Sequence, residues 1–427
     1  MHLLLSLLLV SGCNPGGFNP VVIEGMDGGA DGGETLPGDD AGTEPDPSGD
    51  PDGGDGAQDA GEEPEEPAAG LQFGYPVYTQ AEIDAWSTSS PQYAALAGSW
   101  AGNVNRAVQS YSPVLSETER DLLKDQSVYI KVQAVLFAAD GNPARKAKVA
   151  AMLDDLHVVT GWFEDAKRQY RLVAGWACTN LAQAAALTDY AHPEFERFLR
   201  EVCYPELDWT AGPNWHASFA DSRLAIAAYL GDEALWEDAK AYFYLRIAQS
   251  FYHSAFDGAT VRPIVNDRGV PQLGLTRQHW GSNFGAPQIN DDYTPVTDYP
   301  FPDGVNAERL RDLGHVNMGI GAFLQAARTL VAQGETLEPH AYARLLTGYA
   351  HHGDRTLAYL ETGTIPTPDT YRGDGGSVTK QAWLGACRFF GDETPPSVVA
   401  LCAHPEVLGY PPAGANHLVA ERFVDEG

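Results

Sequence analysis

Seven stretches of this chain repeat apolar side chains at helical spacing, and that recurrence restricts the fold more than any other feature. They fall near residues 116–139, 143–160, 166–189, 217–230, 233–253, 307–333 and 338–360 and are rich in Ala and Leu. Val149, Leu153 and Leu156 stand at i, i+4 and i+7; Ala239, Phe243, Ile247 and Phe251 form a second stripe. Such spacings put side chains on one face of an α-helix. Start signals agree: Glu119 follows Ser116 by three residues, and Asp232 precedes an Ala/Leu run. Strand-like alternation is scarce. The pattern predicts an all-α fold. Helix pairs of similar length around one core suggest an α/α toroid, an incomplete barrel of helical hairpins. A stacked α-solenoid would show the same periodicity. The connection 254–305 is long and rich in Pro, Gly and Asn; loops of that length are usually functional or disordered.

The globular composition begins at Leu71 and continues to Gly427. Residues 13–70 are different. From Asn14 to Gly70 the chain is built from Gly, Asp, Glu, Pro, Ala and Ser, and the first basic side chain of the whole sequence is Arg106. Such a segment buries too little apolar surface to offset its conformational entropy, so a disordered, extended tether is expected. Asp27-Gly28-Gly29 and Asp31-Gly32-Gly33 suggest calcium repeats, but their spacing is irregular. Ahead of the tether, Leu3 to Val10 is an apolar run too short to span a bilayer. It ends in Val10-Ser11-Gly12-Cys13, which resembles the lipobox of bacterial lipoproteins. That resemblance implies a signal peptide over 1–12 and lipidation of Cys13. Asn14 does not resemble the Asp of an inner-membrane retention signal, so an outer-membrane anchor is expected, with the membrane met through the lipid only.

The net charge is −31, with 16 of the 58 acidic residues between Glu24 and Glu66. The remainder is still acidic at −15, which excludes nucleic acid as an expected partner. Beyond Cys13 there are four cysteines, an even number that suits an oxidising compartment. Closeness in sequence favours Cys178–Cys203 and Cys387–Cys402, each clipping a helix end to a loop; free buried thiols are the alternative. No Cys/His zinc spacing exists, no metal-ligand cluster is visible, and no organic cofactor is implied.

Three clusters carry candidate chemistry. The first is Gly212-Pro213-Asn214-Trp215-His216, just before an apolar helix. There Asn214 reads by default as an N-cap, and Trp215 as a ring closing the loop onto the core. The second is Arg277-Gln278-His279-Trp280-Gly281-Ser282-Asn283, inside the long connection. The third is Glu308-Arg309-Leu310-Arg311-Asp312-Leu313-Gly314-His315, opening a helix on which Arg311 and His315 would share a face. Bland readings stand beside these: His315 as a satisfied core histidine, and Arg311–Asp312 as a surface pair.

The run from Glu308 to Gly321 resembles the signature of the alginate lyase domain family. Its continuation through Ala326-Ala327, Gln333-Gly334-Glu335-Thr336-Leu337 and Arg344-Leu345-Leu346-Thr347-Gly348-Tyr349 does so too. Asn214-Trp215, Leu224-Ala225-Ile226-Ala227 and Gly231-Asp232 are similar to an earlier motif of that family, in the same order, over roughly 120 to 360. The resemblance implies an α/α toroid and β-elimination on an acidic, uronate-containing polysaccharide, alginate or glucuronan-like. It carries the carboxyl-neutralising Asn onto Asn214. Better-known alginate lyases have His after that Asn and a Tyr after a nearby Arg. Here Trp215 follows the Asn, and His315 stands where the Tyr is expected, with Arg309 or Arg311 as the Arg. His279 is a second candidate for base or acid, and Tyr293 or Tyr299 a third. Arg277 is a candidate substrate contact, and Trp215 and Trp280 could stack on sugar faces. Two other classes fit the residues: a non-catalytic glycan-binding lipoprotein, and an α/α-barrel glycoside hydrolase using two carboxylates among Asp221, Asp291 and Asp292. A monomer is expected.

Overall fold

The start signals act directly on the backbone. Helix α3 (Glu117–Asp140) opens on a full capping box: the Ser116 hydroxyl accepts from the Glu119 N–H, and Glu119 accepts from the Ser116 N–H. It stops at Gly141, whose φ of 65° is the left-handed conformation that glycine adopts at least cost. A computed structural model describes residues 75–164, 168–208, 213–257, 302–306, 308, 312–365 and 380–408. The chain divides between Glu65 and Glu66, and every described residue belongs to the second unit.

Around α3 the chain builds α1 (Gln80–Asp84), α2 (Pro91–Gly98), α4 (Pro143–Asp154), α5 (Gln169–Leu187) and α6 (Pro193–Arg197). A π-helical turn (Phe198–Cys203) and a 3-10 turn (Tyr204–Leu207) follow. Then come α7 (Pro213–Leu230), α8 (Glu233–Ser250), α9 (Ser254–Asp257), α10 (Leu313–Ala332), α11 (Pro339–Thr362), α12 (Leu384–Phe390), α13 (Pro396–Cys402) and α14 (Pro405–Leu408). The two short strands β1 (Val114–Leu115) and β2 (Gly161–Trp162) pair in parallel, Val114 opposite Gly161. The fold is all-α. Helix α4 ends at Asp154, earlier than the periodicity suggests, because the chain turns there to deliver β2 to β1. Among the described residues, no helix is long and apolar enough to cross a membrane.

Alternate helices are neighbours. Helix α3 lies against α5, α5 against α7, and α7 against α10, while α4 lies against α3 and α5, and α8 against α7, α10 and α11. The inner row is buried nearly all round: in α7 every residue from His216 to Ala228 is buried. An outer helix such as α11 buries one side, including Ala341, Leu345, Gly348, Tyr349, His352 and Thr356, and leaves the other more exposed. At Gly175 of α5 an added Cβ would lie 3.1 Å from the Phe219 ring, so the glycine sets how closely α5 approaches α7.

The two ends of the inner row come back toward each other. Helix α1 touches α3, while its Glu82 carboxylate faces Arg328 of α10 at 3.6 Å and Arg388 of α12 at 3.7 Å. Beside it, the Gln333 amide donates to the Tyr75 carbonyl at 2.9 Å. A five-residue helix, only about 7.5 Å long, reaches both the first and the last inner helix. An open solenoid would stack those helices progressively apart; here they curve round as in an incomplete ring.

Two disulfides brace this arrangement. Cys178 joins Cys203 and Cys387 joins Cys402, with Cα separations of 6.3 and 6.6 Å. They do not clip helix ends to loops. Cys178 lies in the middle of α5 and Cys203 ends the π-helical turn; Cys387 lies within α12 and Cys402 ends α13.

Candidate active site

Helix α7 begins at Pro213, a residue suited to the first helical position because it lacks an N–H that would otherwise go unpaired. Asn214 is therefore the second residue of the helix and not the N-cap that an Asn there suggests. Its side chain does no capping. It is 2% exposed, and among the described residues its buried Oδ1 has no hydrogen-bond partner. An orphaned buried amide oxygen costs about 1–3 kcal/mol, so the surroundings must hold it in place.

Two neighbours do that. Gly319 of α10 presents no side chain toward it: a Cβ there would lie 3.4 Å from the Asn214 Cα and 3.6 Å from its Cβ. From the other side the Ser218 hydroxyl donates to the Asn214 carbonyl at 3.0 Å, and the Trp176 indole N–H of α5 donates to the Ser218 oxygen at 3.1 Å. The Asn214 peptide is thus tied to α5 while its side chain abuts α10. Trp215 is half-buried and stands edge-on to Phe219, centroids 6.3 Å apart, so part of its ring serves the core.

Helix α10 opens on Asp312, whose side chain accepts from the His315 N–H at 2.8 Å. The same carboxylate meets the His315 ring: its Oδ2 is 2.6 Å from Nδ1. Both side chains are about one-quarter exposed, 25% for His315 and 24% for Asp312, so His315 is not a sealed core residue. Gly319 follows His315 by one helical turn, a rise of about 6 Å. The structure therefore brings His315 and Asn214 to adjacent turns at the starts of two touching helices. Helix α10 begins at Leu313, later than Glu308, and the expected Arg311/His315 face involves a residue outside the described ones. Asp312 caps α10 and meets the His315 ring. Sequence reasoning did not give roles to Asp312, Ser218 or Trp176. For Asp312 the signal was present as Asp-x-x-His, the N-cap-to-N3 spacing of a capping box.

A second polar group backs α10. Asn317, two residues beyond His315, accepts from the Thr356 hydroxyl of α11 at 3.4 Å. One turn earlier in α11, His352 accepts from the Asn306 N–H at 3.1 Å, and Asn306 accepts from the Glu308 N–H at 2.7 Å. Arg344 of α11 grips the Asp257 carboxylate with two nitrogens, at 2.6 and 2.7 Å, and also donates to the Phe251 carbonyl. Phe251 in turn bridges to Asn306. Asp257 and Asn306 are thus both tied to α11. His279, Arg277, Trp280, Tyr293, Tyr299, Asp291, Asp292, Arg309, Arg311 and Cys13 lie outside the described residues. Asp221 is fully buried two turns into α7.

A cavity of about 660 Å³, with Glu82, Arg328, Tyr342, Arg388 and Phe389 among its walls, lies elsewhere. Arg328 is thirteen residues along α10 from His315, about 20 Å away. Among the described residues, no group of three His, Cys, Asp or Glu side chains is placed to hold a metal ion.

Chemically, the site at the helix starts offers a fixed imidazole, an amide and the positive ends of two helix dipoles. That set suits withdrawal of a proton beside a negatively charged group. No family model and no curated protein matches the chain. Among solved structures it is similar to the crystal structure of alginate lyase A1-III from Sphingomonas species A1, at 15% identity over 71% of this chain and 82% of that one, with a TM-score of 0.40.

Proposed function

We propose that the domain is a polysaccharide lyase that cleaves a uronate-containing chain, alginate or glucuronan-like, by β-elimination. One observation carries this reading: His315, held through Nδ1 by Asp312, stands one helical turn from the glycine against which Asn214 rests. Elimination removes the C5 proton beside a carboxylate. The electrons of that C–H bond form the C4=C5 double bond as the C4–O bond breaks, and the departing oxygen takes up a proton. Negative charge grows on the carboxylate during the first step, so a hydrogen-bond donor there lowers the barrier. Asn214 is that donor in this proposal, since its amide can turn its nitrogen toward a ligand. The N-terminal ends of α7 and α10 add a favourable field for the anion. His315 takes the proton, with His279 sharing acid and base work. Arg309 or Arg311 pairs with uronate carboxylates, while Arg277, Tyr293, Trp280 and the outer part of Trp215 line the sugar path. Cys13 is the lipid attachment point of an exported, outer-membrane-anchored monomer, and residues 13–70 are the spacer.

The test is incubation of the purified domain with alginate, glucuronan and hyaluronan. Elimination leaves an unsaturated, ultraviolet-absorbing sugar end. Asn214→Ala and His315→Ala are expected to lower the rate of product formation by at least about 10²-fold with the helical circular dichroism unchanged. New reducing ends without absorbance would mean hydrolysis, and binding without cleavage a glycan-binding module; either would overturn the proposal.

A further inference from the structure

Two contacts of the Asp312 carboxylate with one residue fix its geometry independently. Oδ1 is spent on the N–H of His315 as the cap of α10, and Oδ2 is left to meet Nδ1 of the same residue at 2.6 Å. The cap bond prevents the carboxylate from swinging away, and an ionised carboxylate only accepts. The partner atom must therefore be an N–H, which puts the proton of a neutral His315 ring on Nδ1. A histidine's reactive nitrogen is set by the hydrogen bond its other nitrogen makes. We propose that Asp312 is a positioning residue that holds His315 in the Nδ1–H tautomer, so that Nε2 is its one basic lone pair.

The use of that lone pair as the base for C5 rests on the lyase reading above; the tautomer does not. A neutral imidazole in the other tautomer would point an N–H toward the substrate and could not accept a proton there. Once Nε2 has taken the proton, the ring is an imidazolium beside an anion already in place, so no reorganisation is needed to stabilise it. The sequence spacing makes this inexpensive: the residue that caps the helix and the residue it orients are three apart, so one side chain serves both.

The experiment reads the tautomer directly. Long-range ¹H–¹⁵N NMR of the whole protein, with the His315 signals identified by their loss in His315→Gln, is expected to show the proton on Nδ1 near neutral pH. Asp312→Asn keeps a cap acceptor but offers Nδ1 an amide that can donate, so the proton is expected to move to Nε2. Asp312→Ser keeps the cap and loses the ring contact, so a mixture of tautomers is expected. Circular dichroism of both variants establishes that α10 persists. On a polymer that the wild type cleaves, Asp312→Asn is expected to lower kcat by about 10²- to 10⁴-fold, with KM changed less than about threefold. An Nε2–H wild type, or an Asp312→Asn variant that leaves the tautomer unmoved, overturns the proposal. An inverted tautomer with wild-type kcat would leave the tautomer assignment standing and overturn His315 as the base of the lyase reading. A wild type with the Nδ1–H ring that cleaves none of the three polymers would count against the lyase reading and support the tautomer.

Discussion

Among the described residues the buried amide oxygen of Asn214 has no hydrogen-bond partner, and the glycine beside the residue sets how closely its backbone approaches α10. Gly319 sits in the middle of a buried helical face, where glycine costs about 0.5–1 kcal/mol relative to alanine. The cost brings the Asn214 backbone within contact of α10. A single methyl just fits, since the added Cβ would stand 3.4 Å from the Asn214 Cα. Gly319→Ala is therefore expected to melt at the same or a slightly higher temperature with most of its activity. Gly319→Val adds two branches with no room, so Asn214 must shift; activity is expected to fall by at least about tenfold while stability falls by about 1–3 kcal/mol. Thermal melts and initial rates on the same two proteins check both halves. Equal loss of activity in both variants would refute a positional role for the glycine.

At the scale of the helix, the cap at α3 shows how a local signal becomes a pH response. The Ser116 hydroxyl, the Ser116 N–H and the Ser112 N–H hold the Glu119 carboxyl down at a pKa of about 2, against its usual 4.5. A depressed carboxyl stabilises the fold fully above the unfolded value. That contribution is lost as pH falls from about 4.5 through about 2. Because Glu119 is partly exposed at the helix start, solvent screening keeps the effect modest, about 0.5–1 kcal/mol. Glu119→Ala is expected to cost that much at pH 7 and nothing near pH 2, as read by urea unfolding at the two pH values. The same signals made the helices legible in advance: Ser116, Asp232 and the Ala239–Phe251 stripe fall where the sequence places them. The start of α10 was misplaced because apolar periodicity does not register a cap. Only the Asp312 side chain, by taking the His315 N–H, fixes the first turn at Leu313. Asn214 was misread for a related reason: Pro213 moved the helix start one residue ahead of it. The contacts of Trp176 and Ser218 with its peptide join different helices, and no spacing within one helix announces them.

For the whole molecule, the decisive fact is that α1 joins the ends of the inner row, a relation between residues some 250 apart that periodicity cannot contain. The disulfides act at that scale too. Cys178–Cys203 closes 25 residues and Cys387–Cys402 closes 15. The chain-entropy argument gives each about 3 kcal/mol, so removing either pair by double Cys→Ala substitution is expected to lower Tm by several degrees. Their effects on rate should differ. Cys178 lies two residues from Trp176, which steadies Asn214 through Ser218, whereas Cys387 and Cys402 lie at the far end of the chain. Loss of the first pair is expected to reduce activity well below the melting range, and loss of the second to leave it intact there. Identical rates in the two double variants would refute the distinction.

The first of those bonds has a practical consequence for anyone making the protein. Both of its sulfurs are fully buried, so a chain that folds while reduced has little chance of being repaired afterwards by air. Material produced in a reducing cytoplasm is expected to be a mixture in which soluble yield overstates competent yield, and titrating free thiols under denaturant would give the competent fraction before any substrate is tried.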